Sequence, residues 1–289
     1  KKCQCLLVDT KRNLYVTDDY IVTHNTFIAL TCMAEACLRK DFSHYRLIHD
    51  DAENRRLMDV EKFFGSSVQK RLEPPALEED GSPHYSSTIE EFYYHLDDAL
   101  AHEQPCIYVM DSMDALSSEA EEDKFQEQKK AYLKGKDAPG SYGDGKAKKN
   151  SSTLRTMIPR LKSTGSILLI ISQTRDNIGF GAQFNPKTRS GGKSLRFYAT
   201  LEVWTSIKEH LKNSDKRSTG IIAQAQVKKN CLSGREEMVD IPIYWSTGID
   251  DVGGCVDFLV EERHWPKTQG GIEAKEMEFK GHREKLVGY

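Results

Sequence analysis

The sequence predicts an α/β fold with a mainly parallel central sheet, on the evidence of three apolar segments that each end in polar side chains. Tyr45–His49 runs into carboxylates, Cys106–Asp111 ends in one, and Ile167–Ile171 is followed by Ser-Gln-Thr-Arg. An unbroken aliphatic run such as Ile167–Ile171 is typical of a strand buried on both faces, and therefore of the inside of a parallel sheet. Such sheets bind ligands beyond the carboxyl ends of their strands, so we expect the functional site there.

The composition predicts one main domain without a bulk positive charge. A chain of 289 residues can bury one substantial core. Its 41 lysines and arginines against 44 acidic residues leave a formal charge of −3, so any contact with nucleic acid must be local. The 7 cysteines show no CxxC spacing, which is typical of reduced cytosolic thiols. No secretory signal or membrane-spanning stretch is predicted, and we expect a soluble intracellular protein without a membrane partner.

Residues 1–25 have a pattern of their own. Leu14–Val16 and Tyr20–Val22 are the arms of a predicted hairpin, which runs into His24, Asn25 and Thr26. An asparagine amide can attack its own main-chain carbonyl, a preceding histidine can protonate the departing amine, and a following hydroxyl can accept an acyl group. The segment resembles the carboxyl-terminal splice junction of an intein, which implies these three roles for the three residues. The alternative is a plain hairpin that opens the fold, with Thr26 as an ordinary helix N-cap.

A helix is predicted from Thr26 onward, because TFIALTCMAEACLRK has apolar residues at helical spacing and neither Gly nor Pro. Helices that follow a phosphate-binding loop begin with Lys-Thr or Lys-Ser. We therefore interpret Thr26 as the hydroxyl that binds Mg²⁺, with the intein inserted between the lysine and the threonine of a P-loop. On this interpretation the glycines and lysine of that loop belong to an upstream extein.

Carboxylates end the first two predicted strands. Asp50–Glu53 follows the first strand, where the alternative role of these acids is to favour the positive end of the next helix. Asp111 ends the second strand after four hydrophobic residues, which indicates a Walker B strand whose carboxylate holds Mg²⁺ at the phosphates of a nucleotide. An amphipathic helix, Ile89–Glu103, is predicted between the two strands.

The segment Ser117–Ser152 is highly charged, and its lysines and glycines argue against a packed element. Its lysines can neutralise phosphates, and Tyr132 and Tyr142 can stack on bases. The alternative is a disordered, solvated insert. The helix Leu154–Lys162 then returns to the central strand.

Polar residues follow directly where the strand Ile167–Ile171 ends. Gln173 at that strand end can hydrogen-bond a terminal phosphate and respond to its loss. The following segment, Asp176–Arg189, contains Gly, Asn and Pro and little apolar mass, which predicts a long functional loop. The alternative is that a polar residue merely ends a strand here, as it does in most sheets.

The last third of the chain predicts antiparallel strands. Leu201–Trp204 and Gly220–Val227 alternate and are joined by a charged turn. Ile241–Trp245 and Cys255–Val260 are expected to be a closing strand and helix. The polar sequence from Gly271 onward has helical character.

The stretch SQTRDNIGFGAQFNPKTRSGGKSLRFYAT resembles the second DNA-binding loop and the following strand of RecA-type recombinases. The resemblance includes the pair Gly191-Gly192 and the run Leu195–Ala199. It implies that Gln173 senses the γ-phosphate of ATP and that the loop that follows Gln173 binds single-stranded DNA. The implied DNA-binding residues are Arg175, Arg189, Gly191 and Gly192.

The same resemblance implies further roles along the chain. The Asp-Ala-Glu triplet makes Glu53 the general base that activates the attacking water. Asp111 with the following Ser-x-x-Ala-Leu matches the Walker B segment of the family, which brings Ser112 to the nucleotide and pairs Asp111 with Thr26 at Mg²⁺. The KN-containing strand makes Lys229 a contact to the nucleotide of the neighbouring subunit.

Taken together, these resemblances imply a RecA-like P-loop NTPase core at residues 26–265, an intein remnant at 1–25 and the start of a C-terminal region at 266–289. The implied protein is a phage-like recombinase in the cytoplasm of a bacterial host cell, which forms a homo-oligomeric filament on single-stranded DNA with ATP and Mg²⁺. It pairs that strand with double-stranded DNA and exchanges strands in recombination and repair, as a DNA-dependent ATPase once joined to the upstream segment. The alternatives are a DnaB-type replicative helicase, against which Gly191-Gly192 with FYAT argues, and a RecA-fold regulatory ATPase.

Overall fold

A computed structural model describes residues 24–53, 58–134, 145–176, 187–189 and 194–287. The predicted hairpin before residue 24, Tyr142, Gly191 and Gly192 lie outside these residues. The chain forms two compact units, Lys1–Tyr198 and Ala199–Tyr289. Among the described helices, none combines the length and the apolar character needed to cross a bilayer.

The first unit contains both helices and strands. They are α1 (His24–Leu38), β1 (Arg46–Asp51), α2 (Val60–Phe64), α3 (Ser66–Arg71), β2 (Leu72–Glu73), β3 (Ala76–Leu77), β4 (Pro83–His84), α4 (Ile89–Ala101), β5 (Cys106–Asp111), α5 (Glu119–Leu133), α6 (Gly145–Thr164), β6 (Ile167–Ile170), β7 (Thr174–Asp176), β8 (Lys187–Arg189) and α7 (Ser194–Tyr198).

The central sheet of this unit has the order β2-β1-β5-β6, and every pairing in it is parallel. The predicted α/β fold with a parallel central sheet is therefore confirmed. Strand β5 lies inside the sheet and all of its residues are buried. Strand β6 lies at the outer position among the described strands, with Ile167 exposed and its other residues half-buried. Its side chains pack on both faces of the sheet as expected, Leu168 and Ile170 against one core and Leu169 against the other. They are half-buried and not fully buried, since among the described strands β6 has a neighbour, β5, on one side alone.

The two faces of the sheet carry separate hydrophobic cores. Side chains of β5 alternate between them, as the pleat of a strand requires. Tyr108 packs on one face with Phe92 and Leu96 of α4, in a core that also contains residues of α6. Val109 packs on the other face in a core built mainly with α1. The helices α4 and α6 therefore cover one side of the sheet and α1 covers the other.

Three local predictions change in the structure of the first unit. The charged segment Ser117–Ser152 contains the helix α5, which Ser118 caps by accepting a hydrogen bond from the backbone N–H of Glu121, although no side chain of α5 is buried. The predicted loop after β6 begins and ends in an antiparallel pair, β7 with β8. The run Leu195–Ala199 was expected to be a strand, but Ser194–Tyr198 is the helix α7, with Leu195 packed into the core.

The second unit is mainly antiparallel. Its elements are β9 (Leu201–Lys212), β10 (Ser218–Asn230), β11 (Met238–Tyr244), β12 (Gly248–Ile249), α8 (Asp251–Glu261), β13 (Lys267–Thr268), β14 (Gly271–Ala274), β15 (Phe279–Gly281) and α9 (Arg283–Val287).

The predicted strands and the helix near Cys255 are confirmed in the order β12-β11-β10-β9 with α8. The predicted helical character from Gly271 onward is wrong for most of that segment, because β14 pairs with β13 and β15 before the short helix α9. Gly271 has φ 110° and a side chain there would collide with the carbonyl of Gly281, so a glycine is required where this sheet turns.

Candidate functional site

The site lies where the carboxyl ends of β1, β5 and β6 meet. Asp51 at the end of β1 is in register with Asp111 at the end of β5. The backbone N–H of Ile171 donates to the carbonyl of Met110, and the N–H of Met113 donates to the carbonyl of Ile171. These contacts hold the segments that follow the three strands side by side. Parallel strands end at the same edge of a sheet, so polar residues far apart in sequence converge there.

Thr26 and Asp111 form the buried part of the site. The Thr26 hydroxyl, at the beginning of α1, donates to Oδ2 of Asp111 over 2.6 Å. Both residues are buried. His49 Nε2 lies 3.4 Å from the same carboxylate oxygen. A hydroxyl and a carboxylate are oxygen donors of the kind that Mg²⁺ prefers, so this pair suits that ion.

Glu53 lies directly beside this pair. Its Oε1 accepts hydrogen bonds from the Ser112 hydroxyl over 2.5 Å and from Nε2 of Gln173 over 3.0 Å. Its backbone N–H donates to the carbonyl of Asp111 over 3.2 Å. The predicted residues Glu53, Asp111, Ser112 and Gln173 are thus brought together from three strands.

Gln173 connects the cluster to the predicted DNA-binding loop. Its backbone N–H donates to Oδ2 of Asp114 over 2.6 Å, which fixes the chain directly before β7. In the pair formed by β7 and β8, Thr174 is opposite Arg189 and Arg175 is opposite Thr188. The two arginines predicted to bind DNA therefore occupy neighbouring strands at the base of the loop.

Three further predicted residues lie in β10 and in α1. Lys229 lies on β10 of the second unit, in register with Glu202 of β9. His24 and Asn25 lie in the first turn of α1, which begins two residues before the predicted start at Thr26.

Sequence reasoning missed two polar residues of the site. His49 and Asp114 contact Asp111 and Gln173. Among the described residues, Ser172 Oγ and His49 Nδ1 belong to the buried polar atoms that have no hydrogen-bond partner. A histidine directly after the apolar pair Leu47-Ile48 of a buried strand was a signal that could have identified His49, because an imidazole is costly to bury without a polar partner.

The sequence of the chain can be compared with those of known proteins. The family model described as the RecA N-terminal domain matches residues 105–250, just over half of the chain. That range contains Asp111, Ser112, Gln173 and Lys229, whereas Thr26 and Glu53 precede it.

Curated relatives support the same family. A protein named "Protein RecA" from Cytophaga hutchinsonii is 31% identical over 128 residues, which are 42% of this chain and 35% of that protein. Another of that name from Trichodesmium erythraeum is 30% identical over 155 residues, 52% of this chain and 42% of that protein. A third, from an Arthrobacter species, is 32% identical over 128 residues, 42% of this chain and 35% of that protein. The chain therefore spans between about a third and two-fifths of the length of these relatives.

Proposed function

Since the chain belongs to the RecA N-terminal domain family, we propose that it is the ATPase core of a DNA recombinase. In this proposal the protein polymerises on single-stranded DNA with ATP and Mg²⁺, pairs that strand with homologous double-stranded DNA and exchanges strands. The observation that carries the proposal is the convergence of Ser112 and Gln173 on one carboxylate oxygen of Glu53, beside the buried pair of Thr26 and Asp111. The relatives named RecA favour this function over that of a DnaB-type helicase or a regulatory ATPase.

Each residue of the cluster has a chemical task in this proposal. Thr26 and Asp111 would hold Mg²⁺, which lowers the cost of the negative charge on the phosphates of ATP. Glu53 orients the attacking water and takes its proton. Ser112 and Gln173 keep the Glu53 carboxylate in place through hydrogen bonds to Oε1. A carboxylate held by two donors loses little conformational freedom when the water binds, so its geometry is set before the reaction.

We propose that Gln173 couples nucleotide state to DNA binding. Its side chain reaches Glu53, and its backbone is the last point of attachment before β7. When the terminal phosphate competes for the Gln173 amide, the strand that follows must adjust with it. Arg175 and Arg189 on β7 and β8 would respond by binding the phosphates of single-stranded DNA, with Gly191 and Gly192 allowing close approach of the backbone.

We further propose that each subunit of the filament contributes a residue to the nucleotide site of its neighbour. Lys229 on β10 would contact the nucleotide held by an adjacent copy, where a fixed cation compensates charge on the phosphates.

The segment around His24, Asn25 and Thr26 supports a second proposal, that the chain contains a splice junction. The side-chain amide nitrogen of Asn25 would attack its own main-chain carbonyl carbon and close a succinimide. The Asn25–Thr26 peptide bond then breaks, and His24 delivers a proton to the departing amine of Thr26. Thr26 thus begins the mature extein and reaches Asp111 from that position. Before that cleavage the Thr26 hydroxyl would accept the acyl group of the upstream extein as an ester. The acyl group then passes to the freed amine of Thr26 as a peptide bond, which releases the hydroxyl for its second task as Mg²⁺ ligand.

The outer position of β6 supports an upstream extein in this proposal. Ile167 is exposed and Leu168, Leu169 and Ile170 are half-buried at the edge of the described sheet. An open edge of aliphatic residues is a place where another strand can pair. The strand that precedes the P-loop of the upstream extein would lie there, in this proposal, and would bring the P-loop to α1.

Filament formation tests the recombinase proposal. The spliced protein is mixed with circular single-stranded DNA and a slowly hydrolysed ATP analogue, and the products are imaged by negative-stain electron microscopy. Continuous helical filaments that require nucleotide support a recombinase. Closed rings would support the helicase instead, and free protein without any assembly would support the regulatory ATPase.

A further inference from the structure

We propose that His84, Glu91 and His95 form a binding site for a divalent transition metal of the zinc class, a site that the proposed recombinase chemistry does not use. Each residue offers one ligand atom, and these atoms all lie within 4.8 Å of one another. Two imidazoles and one carboxylate form a ligand set that binds Zn²⁺ in proteins, with the fourth position left to water. The set shares no residue with the pair of Thr26 and Asp111.

Two of the three ligands are fixed on one rigid helix. Glu91 and His95 are four residues apart on α4, so their side chains lie on the same face. Phe92 and Leu96 of this helix are fully buried in the core. The third ligand, His84, ends β4, and its ring packs edge-on against that of His95 with centroids 5.4 Å apart.

His95 is oriented so that one ring nitrogen is available. Its Nδ1 lies 2.9 Å from the Ser86 hydroxyl oxygen, and that hydroxyl donates its only hydrogen to Oδ2 of Asp50 over 2.6 Å. The Ser86 oxygen must therefore accept from His95, which places the ring hydrogen on Nδ1 and leaves the lone pair on Nε2.

Glu91 and His84 are also held by a second layer of partners. Oε2 of Glu91 accepts from the backbone N–H of Ser87 over 2.7 Å and from its hydroxyl over 2.9 Å. Oε1 of Glu91 faces Nε2 of His84 over 2.5 Å. Nδ1 of His84 contacts a carboxylate oxygen of Glu78. A histidine whose second nitrogen donates to a carboxylate is the usual arrangement around protein metals, because it fixes the ring and raises its basicity.

A small movement of side chains would admit the ion. Bonds of about 2.0–2.1 Å at tetrahedral angles place ligand atoms about 3.3 Å apart. The ion would replace the proton shared by His84 Nε2 and Glu91 Oε1. The distance between these two atoms would then increase by less than about 1 Å. Mg²⁺ and Ca²⁺ prefer ligand sets made of oxygen alone, so the two imidazoles select against them.

Cobalt(II) serves as the probe, because its visible absorption reports coordination number and ligand type. The whole chain, freed of metal with a chelator, is titrated with Co²⁺ and then with Zn²⁺. We expect one equivalent to bind with the intense bands of a four-coordinate ion and without a thiolate charge-transfer band, and Zn²⁺ to displace it. His84→Gln should abolish these bands. The matched control is His102→Gln, which changes an exposed histidine directly after α4 and should leave the titration unchanged.

A second pair of variants leaves all three ligands in place, so that a loss of binding cannot be explained by misfolding after removal of a ligand. Glu78→Gln removes the outer carboxylate without removing a ligand, and should weaken binding about 10- to 100-fold. Glu79→Gln, at the exposed neighbouring position, should bind like the wild type. A wild-type chain that binds no Co²⁺, a thiolate band, or bands that survive His84→Gln would each overturn the proposal and leave the triad as a hydrogen-bonded cluster alone.

Discussion

The side-chain amide of Gln173 donates to Oε1 of Glu53 over 3.0 Å, and it joins two residues that are 120 positions apart in the sequence. Glu53 follows β1 and Gln173 follows β6, two strands that are separated in the sheet by β5. The contact therefore spans the site from one side to the other. Any group that displaces Gln173 from Glu53 acts on the carboxylate proposed as the general base and on the loop strand β7 at once.

Gln173→Ala should separate nucleotide binding from DNA binding in the spliced protein. We expect ATP to bind normally, because Thr26 and Asp111 are unchanged, and the gain in single-strand affinity caused by ATP to disappear. A hydrogen bond to a charged group contributes about 1.5–3 kcal/mol, which corresponds to a coupling of about 10- to 100-fold. Fluorescence anisotropy with and without ATP measures this gain. Gln69→Ala, at an exposed position of α3, is the control; a normal ATP effect in the Gln173 variant would contradict the switch.

The double variant Arg175→Ala/Arg189→Ala should flatten the salt dependence of single-strand binding. Each phosphate contact contributes about 0.7 to the slope of log affinity against log salt, so the slope should fall by about 1.4. Binding titrations at several salt concentrations measure it. The double variant Lys212→Ala/Arg217→Ala removes the same charge from an exposed turn and should keep the original slope. An unaltered slope in the first variant would place the DNA elsewhere.

Asn25→Ala should prevent release of the chain at Thr26 in a precursor that carries a whole intein. The reason is chemical, because alanine has no amide nitrogen that can attack the main-chain carbonyl. Intact mass spectrometry of the precursor after incubation decides the result. A product that begins at Thr26 in the variant would exclude the proposed junction.

The 289-residue polypeptide should show no appreciable ATP hydrolysis by itself, with or without single-stranded DNA. Its sequence contains no GxxxxGKS or GxxxxGKT pattern, and the lysine and main-chain amides of such a loop are what hold the β- and γ-phosphates. Joining it to the upstream extein at Thr26 should restore DNA-stimulated hydrolysis, and Glu53→Gln in the joined protein should remove it again. Phosphate release measures all three. Hydrolysis by the unjoined polypeptide that depends on Glu53 would show that the phosphate site is elsewhere.

Tyr108→Phe should lower the free energy of unfolding by about 1.5–3 kcal/mol, because the buried carboxylate of Asp50 loses a donor. The Tyr108 hydroxyl donates to Oδ2 of Asp50 over 2.8 Å, and burial raises the pKa of Tyr108 well above its ordinary value, so the donor stays protonated. Urea denaturation followed by circular dichroism measures the change. Tyr94→Phe, at a tyrosine that is 57% exposed, should change stability little. Equal stability of the two variants would mean that the contact contributes nothing.

Strand ends were the part of the site that could be predicted from the sequence. Runs of apolar residues encode burial locally, so the strands that precede Asp111 and Gln173 were evident from the chain alone, as was the expectation that polar groups at their ends meet. The same reasoning mistook Ser194–Tyr198 for part of a strand and overlooked α5. Short segments with mixed periodicity have no clear local preference, and packing decides between helix and strand.

Tertiary structure alone decided which of these groups touch. Strand order and register place Asp51 opposite Asp111 and bring Ser112 and Gln173 to the same oxygen of Glu53. No local pattern in the sequence contains that order, since it depends on contacts between segments about 60 to 120 residues apart. The cluster of His84, Glu91 and His95 shows the same division. The spacing of Glu91 and His95 on one helix face was present in the sequence, whereas the approach of His84 depends on how β4 packs beside α4.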